Sequence, residues 1–355
     1  ADLSDLPVRV AARLKGFDHR KYLPDLRPEY AAKYSRETLA VMSAIAEARR
    51  DAGLAREDVD PRRIALIASS SRGPIESVEA GIRDELGALR SGPPEGDPML
   101  RALPGGPASL SAIYNDVQGL VTTFSSACVG GAHALSLALD VLDSGRADAA
   151  LVVGHEFPIT RPVILSFLGM GDGVLSSEWD DPARAMRPYT AERDGFVFGE
   201  GAVALCLERP SFAEARNARA YAEILGCATR NEAAHPFTLD QTGCFTASVV
   251  AEALEEAGRK PADVGYYCGH GTGTFYNDLG ESRAMDVLYP GVPRTKWPPV
   301  GSVKPIYGHL LGGAAVLNAA APALMLHRRC LAPTINIDVP APECDHDHVA
   351  EGARP

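Results

Sequence analysis

The sequence lacks most of what would place it outside the ordinary globular class. It contains no run of about 20 apolar residues, the length needed to span a bilayer. The longest small-apolar run, Gly312 to Leu326, is shorter and is interrupted by Asn318 and Pro322. No secretory leader is visible at the start. Positive charge is in deficit: 35 Lys and Arg stand against 46 Asp and Glu, for a formal charge of −11. That balance argues against a broad nucleic-acid or membrane-binding surface and leaves room only for a local basic patch. Seven cysteines form an odd set with neither a disulfide-framework spacing nor a metal-type spacing, so reduced thiols in a cytoplasm are expected. Low-complexity sequence is scarce. What remains is 46% apolar over 355 residues, more than one core usually spans, and two units are expected.

The stretch from Gly119 to Gly154 organises the chain. Leu120 to Phe124 reads as a buried strand, and Ser125-Ser126-Ala127-Cys128-Val129-Gly130-Gly131 supplies small residues for a sharp turn. Leu135, Ala138, Leu139 and Leu142 then recur at helical spacing, with Gly145 placed to end the helix. A second strand runs from Ala149 to Gly154. Cys128 thus falls at a strand-to-helix elbow. Free amides and the helix dipole there favour an anion, which predicts a lowered thiol pKa and a nucleophile. A buried structural cysteine is the competing reading.

Elsewhere in the first half, helices are expected over 35–52, 75–89 and 109–117, a strand over 64–68, and a Gly- and Pro-rich loop over 91–98. Pro162 to Leu168 is apolar, and 170–173 marks a turn. The segment Arg187 to Gly201 combines an Arg-Asp pair with several glycines, and taken alone it reads as a structural turn ahead of a functional one. A strand over 202–208 follows.

The second half repeats this outline. A helix is expected over 245–257, ended by Gly258, and strands over 264–268 and 300–303. After the first of these strands comes His270-Gly271-Thr272-Gly273-Thr274, then Asp278 and Glu281. After the second come Lys304 and Gly308-His309, ahead of a helix opening at Gly312. Ligands in α/β sheets bind at the carboxyl ends of strands. One histidine alone is usually structural, but two histidines and a lysine at strand ends, with a cysteine at an elbow, suggest acyl chemistry. A thiolate accepts and returns an acyl group. Neutral imidazoles donate to a developing enolate or move a proton. A fixed lysine charge keeps them neutral.

Ser126-Ala127-Cys128, the Arg187–Gly201 segment, His270 to Thr274 with Asp278 and Glu281, and Lys304 with Gly308-His309 together resemble the β-ketoacyl synthases, the condensing enzymes of fatty acid and polyketide assembly. The match covers nearly the whole chain, in order. It implies a thiolase-like α/β fold of two duplicated βαβ-containing halves, 1–209 and 210–355, in αβαβα layers. It implies Cys128 as the acylated nucleophile, with His270 and His309 binding the malonyl thioester carbonyl and promoting decarboxylation. Lys304 would set the electrostatics, and the Cys128 amide would be one oxyanion donor. Phe196 would lie near the acyl pocket, and Thr272 and Thr274 would contact the phosphopantetheine arm. Asp278 and Glu281 read as structural acceptors, His133 as structural, and His235 as a position near the pocket. The histidines of Asp345-His346-Asp347-His348 read as surface rather than a metal site.

Departures from the family pattern are visible too. Its glycine-ended opening strand and its closing Phe- and Gly-rich turn, which donates the second oxyanion amide, are not seen between Ala1 and Pro355, so the chain is expected to be trimmed, to continue beyond these residues, or to have a modified fold. Pro305 replaces a Ser. Asn318 replaces a Glu, which predicts a Lys304 without a partner and a costly buried charge.

The expected activity is decarboxylative Claisen condensation of carrier-bound malonyl units with a Cys128-bound acyl chain. The alternatives are a non-elongating, chain-length-factor-like subunit and a Cys-dependent acyltransferase without decarboxylation. The partners implied are an acyl carrier protein and a second ketosynthase-like subunit, as homodimer or heterodimer. The carrier brings the phosphopantetheine, so no cofactor or metal is called for.

Overall fold

A computed structural model describes residues 5–88, 102–178, 180–235 and 239–355. The expected loop over 91–98 lies outside them, as does Leu89. The N-terminal half is built on a four-stranded sheet in the order β3-β2-β4-β6. Its strands are β2 (Ile64–Ser69), β3 (Val121–Phe124), β4 (Ala149–Glu156) and β6 (Gly201–Glu208). The first three run parallel and β6 is antiparallel to β4. Two-residue strands β1 (Ala11–Ala12) and β5 (Phe198–Gly199) form a separate parallel pair.

The near-continuous apolar runs of β2 and β4 follow from burial on both faces. Along β2, Ile64, Leu66 and Ala68 pack with Val41, Ile45, Ala108 and Ala112. These come from helices α1 (Arg36–Asp51) and α3 (Gly106–Asn115). The alternate residues, Ala65 and Ile67, turn to the other face and meet Ala134, Leu135, Ala138 and Val316. Those belong to α4 (Gly130–Asp143) and α8 (Ala314–Arg328). The other long helices are α2 (Ile75–Ala88), α5 (Arg161–Leu168), α6 (Cys244–Glu256) and α7 (Phe275–Leu288).

Helix α8 faces both ways. Val316 joins the sheet of the first half, while Leu317 and Met325 pack with Val303 and Tyr266 of the second. Beyond lies the parallel pair β7 (Tyr267–Cys268) and β8 (Val300–Gly301). Val300 and Tyr267 pack outward against Met285 and Tyr289, so α7 and its neighbour α6 close the far side. The order is helix, sheet, helix, sheet, helix. Close approach in the middle layer depends on small residues: a Cβ at Gly131 would meet Val316 N at 2.9 Å, and one at Gly154 would meet Gly313 Cα at 2.8 Å.

Several expectations are corrected. The strand before Cys128 is not buried but half-buried, because among the described residues it sits at the sheet edge, paired with β2 alone. The strands expected over 264–268 and 300–303 shrink to two residues each. His348 is not on the surface. It is 3% exposed, stacks on Tyr189 at 4.5 Å, and bonds through its ring nitrogens to the carbonyls of Val300 and Cys344. His346 is half-buried beside Trp297.

Candidate active site

Cys128 stands where β3 turns toward α4. Ala127 has φ of 49°, a left-handed conformation that costs a residue with a Cβ about 1–3 kcal/mol. Residues Ala127–Val129 form one 3-10 turn, and the α-helix starts only at Gly130. The thiol points into an apolar cluster with Phe167, Phe196, Phe198 and Leu311.

Across the middle layer, His309 Nε2 lies 3.1 Å from Cys128 Sγ. The histidine is locked by its backbone: His309 N donates to Val197 O at 2.7 Å, and its carbonyl accepts from Gly199 N at 3.0 Å. That close pairing needs Gly308, whose φ is 75° and whose Cβ would meet Gly199 Cα at 2.8 Å. Phe196 packs edge-on against the His309 ring, centroids 5.0 Å apart.

The His270 ring lies 5.1 Å from that of His309, nearly perpendicular to it. Its loop is held by two carboxylates. Glu281 accepts from the His270 and Gly271 amides and from the Tyr189 hydroxyl. Asp278 accepts from the amides of Tyr189, Thr272 and Gly273. Both are structural acceptors, as expected. Lys304, 1% exposed, donates to the His270 carbonyl and lies 3.3 Å from His270 Nδ1. A Lys304 left without a partner was expected, and this is corrected: a carbonyl and an imidazole take the place of the carboxylate. Asn318 instead donates to Gly269 O at 3.0 Å and so braces the same loop.

The electrostatics overturn one expectation and agree with another. Burial pushes the Cys128 thiol up to about 11, opposed by the Lys304 charge and reinforced by Glu156. The lowered pKa expected from the elbow does not survive because the half-buried Cys128 packs against the apolar cluster. Desolvation of the anion outweighs the favourable field at the turn. Burial first, and then the Lys304 charge, hold His270 and His309 well below the usual histidine value. Burial also lowers Lys304, against the attraction of Glu281. The resting site is therefore a neutral thiol against neutral imidazoles. Lys304 occupies the Nδ1 side of the His270 ring. One donor atom from each of Cys128, His270 and His309 lies within 4.8 Å of the others. The same set would suit a thiophilic divalent cation, although the Lys304 charge opposes one.

Thr272 and Thr274 bond to each other, Oγ1 to Oγ1 at 2.8 Å, and Thr272 is buried. His133 leans on Phe124. His235 is exposed beside the undescribed residues 236–238. Three residues escaped sequence reasoning. Tyr189 lay inside a noted motif, but its link to Glu281 spans 92 positions. Glu156 ends an apolar strand, and a lone carboxylate there was a usable signal. Arg72 follows three serines and gave none.

With this geometry in place, comparison with known proteins is decisive. The beta-ketoacyl synthase N-terminal domain model matches residues 2–213 and the C-terminal domain model residues 221–338. The chain belongs to the β-ketoacyl synthase family. It is an acyltransferase-type enzyme with the thiolase-like fold. The ketoacyl synthase alpha subunit of the tetracenomycin polyketide synthase of Streptomyces glaucescens is 33% identical over 93% of this chain and 78% of its own length. A 3-oxoacyl-[acyl-carrier-protein] synthase 2 of Synechocystis is 33% identical over 99% of this chain and 83% of its own. Among solved structures, the ishigamide ketosynthase/chain length factor superposes with a TM-score of 0.87 at 28% identity, covering 99% of this chain and 83% of that one. A type II polyketide acyl-carrier protein complexed with its ketosynthase gives 0.84 at 28% identity, covering 98% and 82%.

Proposed function

We propose that this ketosynthase elongates carrier-bound acyl chains by decarboxylative Claisen condensation, with Cys128 as the acylated nucleophile. The observation that carries the reading is the 3.1 Å contact of Cys128 Sγ with His309 Nε2, with His270 completing the cluster. In the first half-reaction Cys128 Sγ attacks the carrier thioester. The new C–S bond replaces the carrier's, and the thiol proton passes by way of His309 to the departing carrier sulfur. In the second, a malonyl thioester loses its carboxylate as CO₂. The electron pair left on the α-carbon is delocalised onto the thioester oxygen, where the neutral rings of His270 and His309 donate hydrogen bonds. That carbon attacks the carbonyl of the Cys128 thioester, forming the new C–C bond as the C–S bond breaks, and the departing thiolate takes a proton from solvent by way of His309. Lys304 fixes the orientation of His270 and keeps both rings neutral. The Cys128 amide serves as an oxyanion donor, Phe196 flanks the acyl chain, and Thr272 and Thr274 stand toward the pantetheine arm.

The implied partners are an acyl carrier protein and a second ketosynthase-like subunit. All seven cysteines are free, which fits a reducing cytoplasm. Pairing of a ketosynthase with a chain length factor in a similar solved structure keeps a second role in view, that of a non-elongating subunit. The presence of Cys128 with both histidines favours elongation. The test is intact-mass analysis and product assay with acyl and malonyl carriers. Wild type gains an acyl adduct and releases CO₂ with chain growth. Cys128→Ala loses the adduct and about a thousandfold or more of condensation, while His270 and His309 still decarboxylate malonyl carrier. Undiminished elongation by Cys128→Ala would sink the assignment. Transfer without CO₂ would point to the acyltransferase alternative.

A further inference from the structure

The turn after β2 carries Arg72 to the wall of the apolar cluster that receives Cys128. Its guanidinium lies over the Phe167 ring, 4.9 Å from the centroid. Phe167 in turn packs edge-on with Phe196 and Phe198 at 5.6 and 5.1 Å, and Phe196 touches His309. Those rings, with Val163, Leu175 and Leu311, form the cluster against which Cys128 packs. Arg72 is half-buried, and its charge is felt at the Cys128 sulfur. Its hydrogen bond is Nη1 to the neighbouring Ser71 Oγ at 2.8 Å, and among the described residues no carboxylate pairs with it. A guanidinium has five N–H donors, so most of its donors are left to solvent or to a ligand.

The position is not an accident of a loose loop. Ser71 N donates to Glu156 Oε2 at 2.7 Å, Ser125 Oγ donates to Ser71 O at 3.0 Å, and Gly73 N donates to Ser70 Oγ at 3.0 Å. Gly312 N shares the same Glu156 oxygen at 2.9 Å. A Cβ at Gly312 would meet Ser71 N at 2.3 Å. The backbone on either side of Arg72 is therefore pinned to the loop that carries His309.

We propose that Arg72 is a specificity-determining residue of the acyl subsite, selecting chains that bear a carboxylate or keto oxygen beyond the thioester over plain alkyl chains. This rests on the reading of Cys128 as the acylated residue. An alkyl chain laid against the phenylalanine wall strips water from the guanidinium and returns nothing to it, which is unfavourable. An oxygenated chain offers acceptors for charge-assisted hydrogen bonds in the same place.

The experiment is competitive loading of Cys128 from length-matched hexanoyl and adipoyl pantetheine thioesters, with a keto-hexanoyl thioester as third probe, read by intact mass. Wild type loads the oxygenated chains about tenfold or more faster, the worth of one charge-assisted hydrogen bond. Arg72→Leu reverses the order, and Arg72→Lys retains a preference for adipoyl, which covers the case in which the leucine variant fails to fold. Preferential hexanoyl loading by wild type, or an unchanged ratio in Arg72→Leu, overturns the proposal while leaving Cys128 as the acyl acceptor. If no thioester labels Cys128 in any form, the acyl-enzyme reading falls and this proposal falls with it.

Discussion

Cys128 and His309 are 181 positions apart and meet at 3.1 Å, and their protonation states decide how the site starts. A thiol pushed up to about 11 by burial holds its proton at neutral pH, so the sulfur is activated as it attacks rather than stored as a thiolate. The neighbouring imidazoles, held neutral, can take that proton because the ion pair need exist only in transit. With no substrate present, alkylation of Cys128 by iodoacetamide follows the thiolate fraction. It rises steadily from neutral pH through pH 9, the ordinary thiol value, with no plateau near neutrality. A plateau reached below pH 8, measured by mass-resolved labelling rates, would show a stabilised thiolate instead.

At the scale of elements, one carboxylate ties three pieces together. Glu156, the last residue of β4, is fully buried and accepts from the turn after β2 and from the turn that opens α8. Two amides on one oxygen position both Arg72 and His309, the latter three residues from Gly312. Glu156→Gln replaces one acceptor with an amide group facing donors, an exchange of roughly 1–3 kcal/mol. The expected outcome is a lower thermal midpoint together with a fall in kcat for condensation. KM for the carrier substrate should change little, because the carrier is not in contact with this residue. A variant with reduced stability but wild-type kcat would mean that Glu156 braces the fold and not the site.

For the whole molecule, the middle helical layer is where function is assembled. Each half supplies one part: the nucleophile from the 3-10 turn between β3 and α4, and the histidines and lysine from the segments after β7 and β8. Neither half holds a complete site. Among the described residues β3 pairs with β2 alone, which leaves its outer edge open, and Leu120 beside it is 41% exposed. An open edge of this kind invites pairing with another chain. Sedimentation of the purified protein is expected to give about twice the 37.6 kDa chain mass, and Thr122→Lys on that edge to lower it. A monomer at micromolar concentration would leave the edge to a different ketosynthase-like partner.

The motifs were legible in the sequence because their information is local. An elbow of small residues between an apolar strand and a helix, and reactive side chains just past strand ends, can be read within short stretches of chain, and their order was enough to suggest the family. The alternation in β2 and β4 was hidden because both faces are buried, yet the strands themselves were plain. Packing decided the rest. The acidity of Cys128, the partner of Lys304, the burial of His348 and the place of Arg72 beside the phenylalanine wall all depend on residues brought together from distant parts of the chain. Desolvation and charge act through space, and a sequence records neither until the layers have closed around the site.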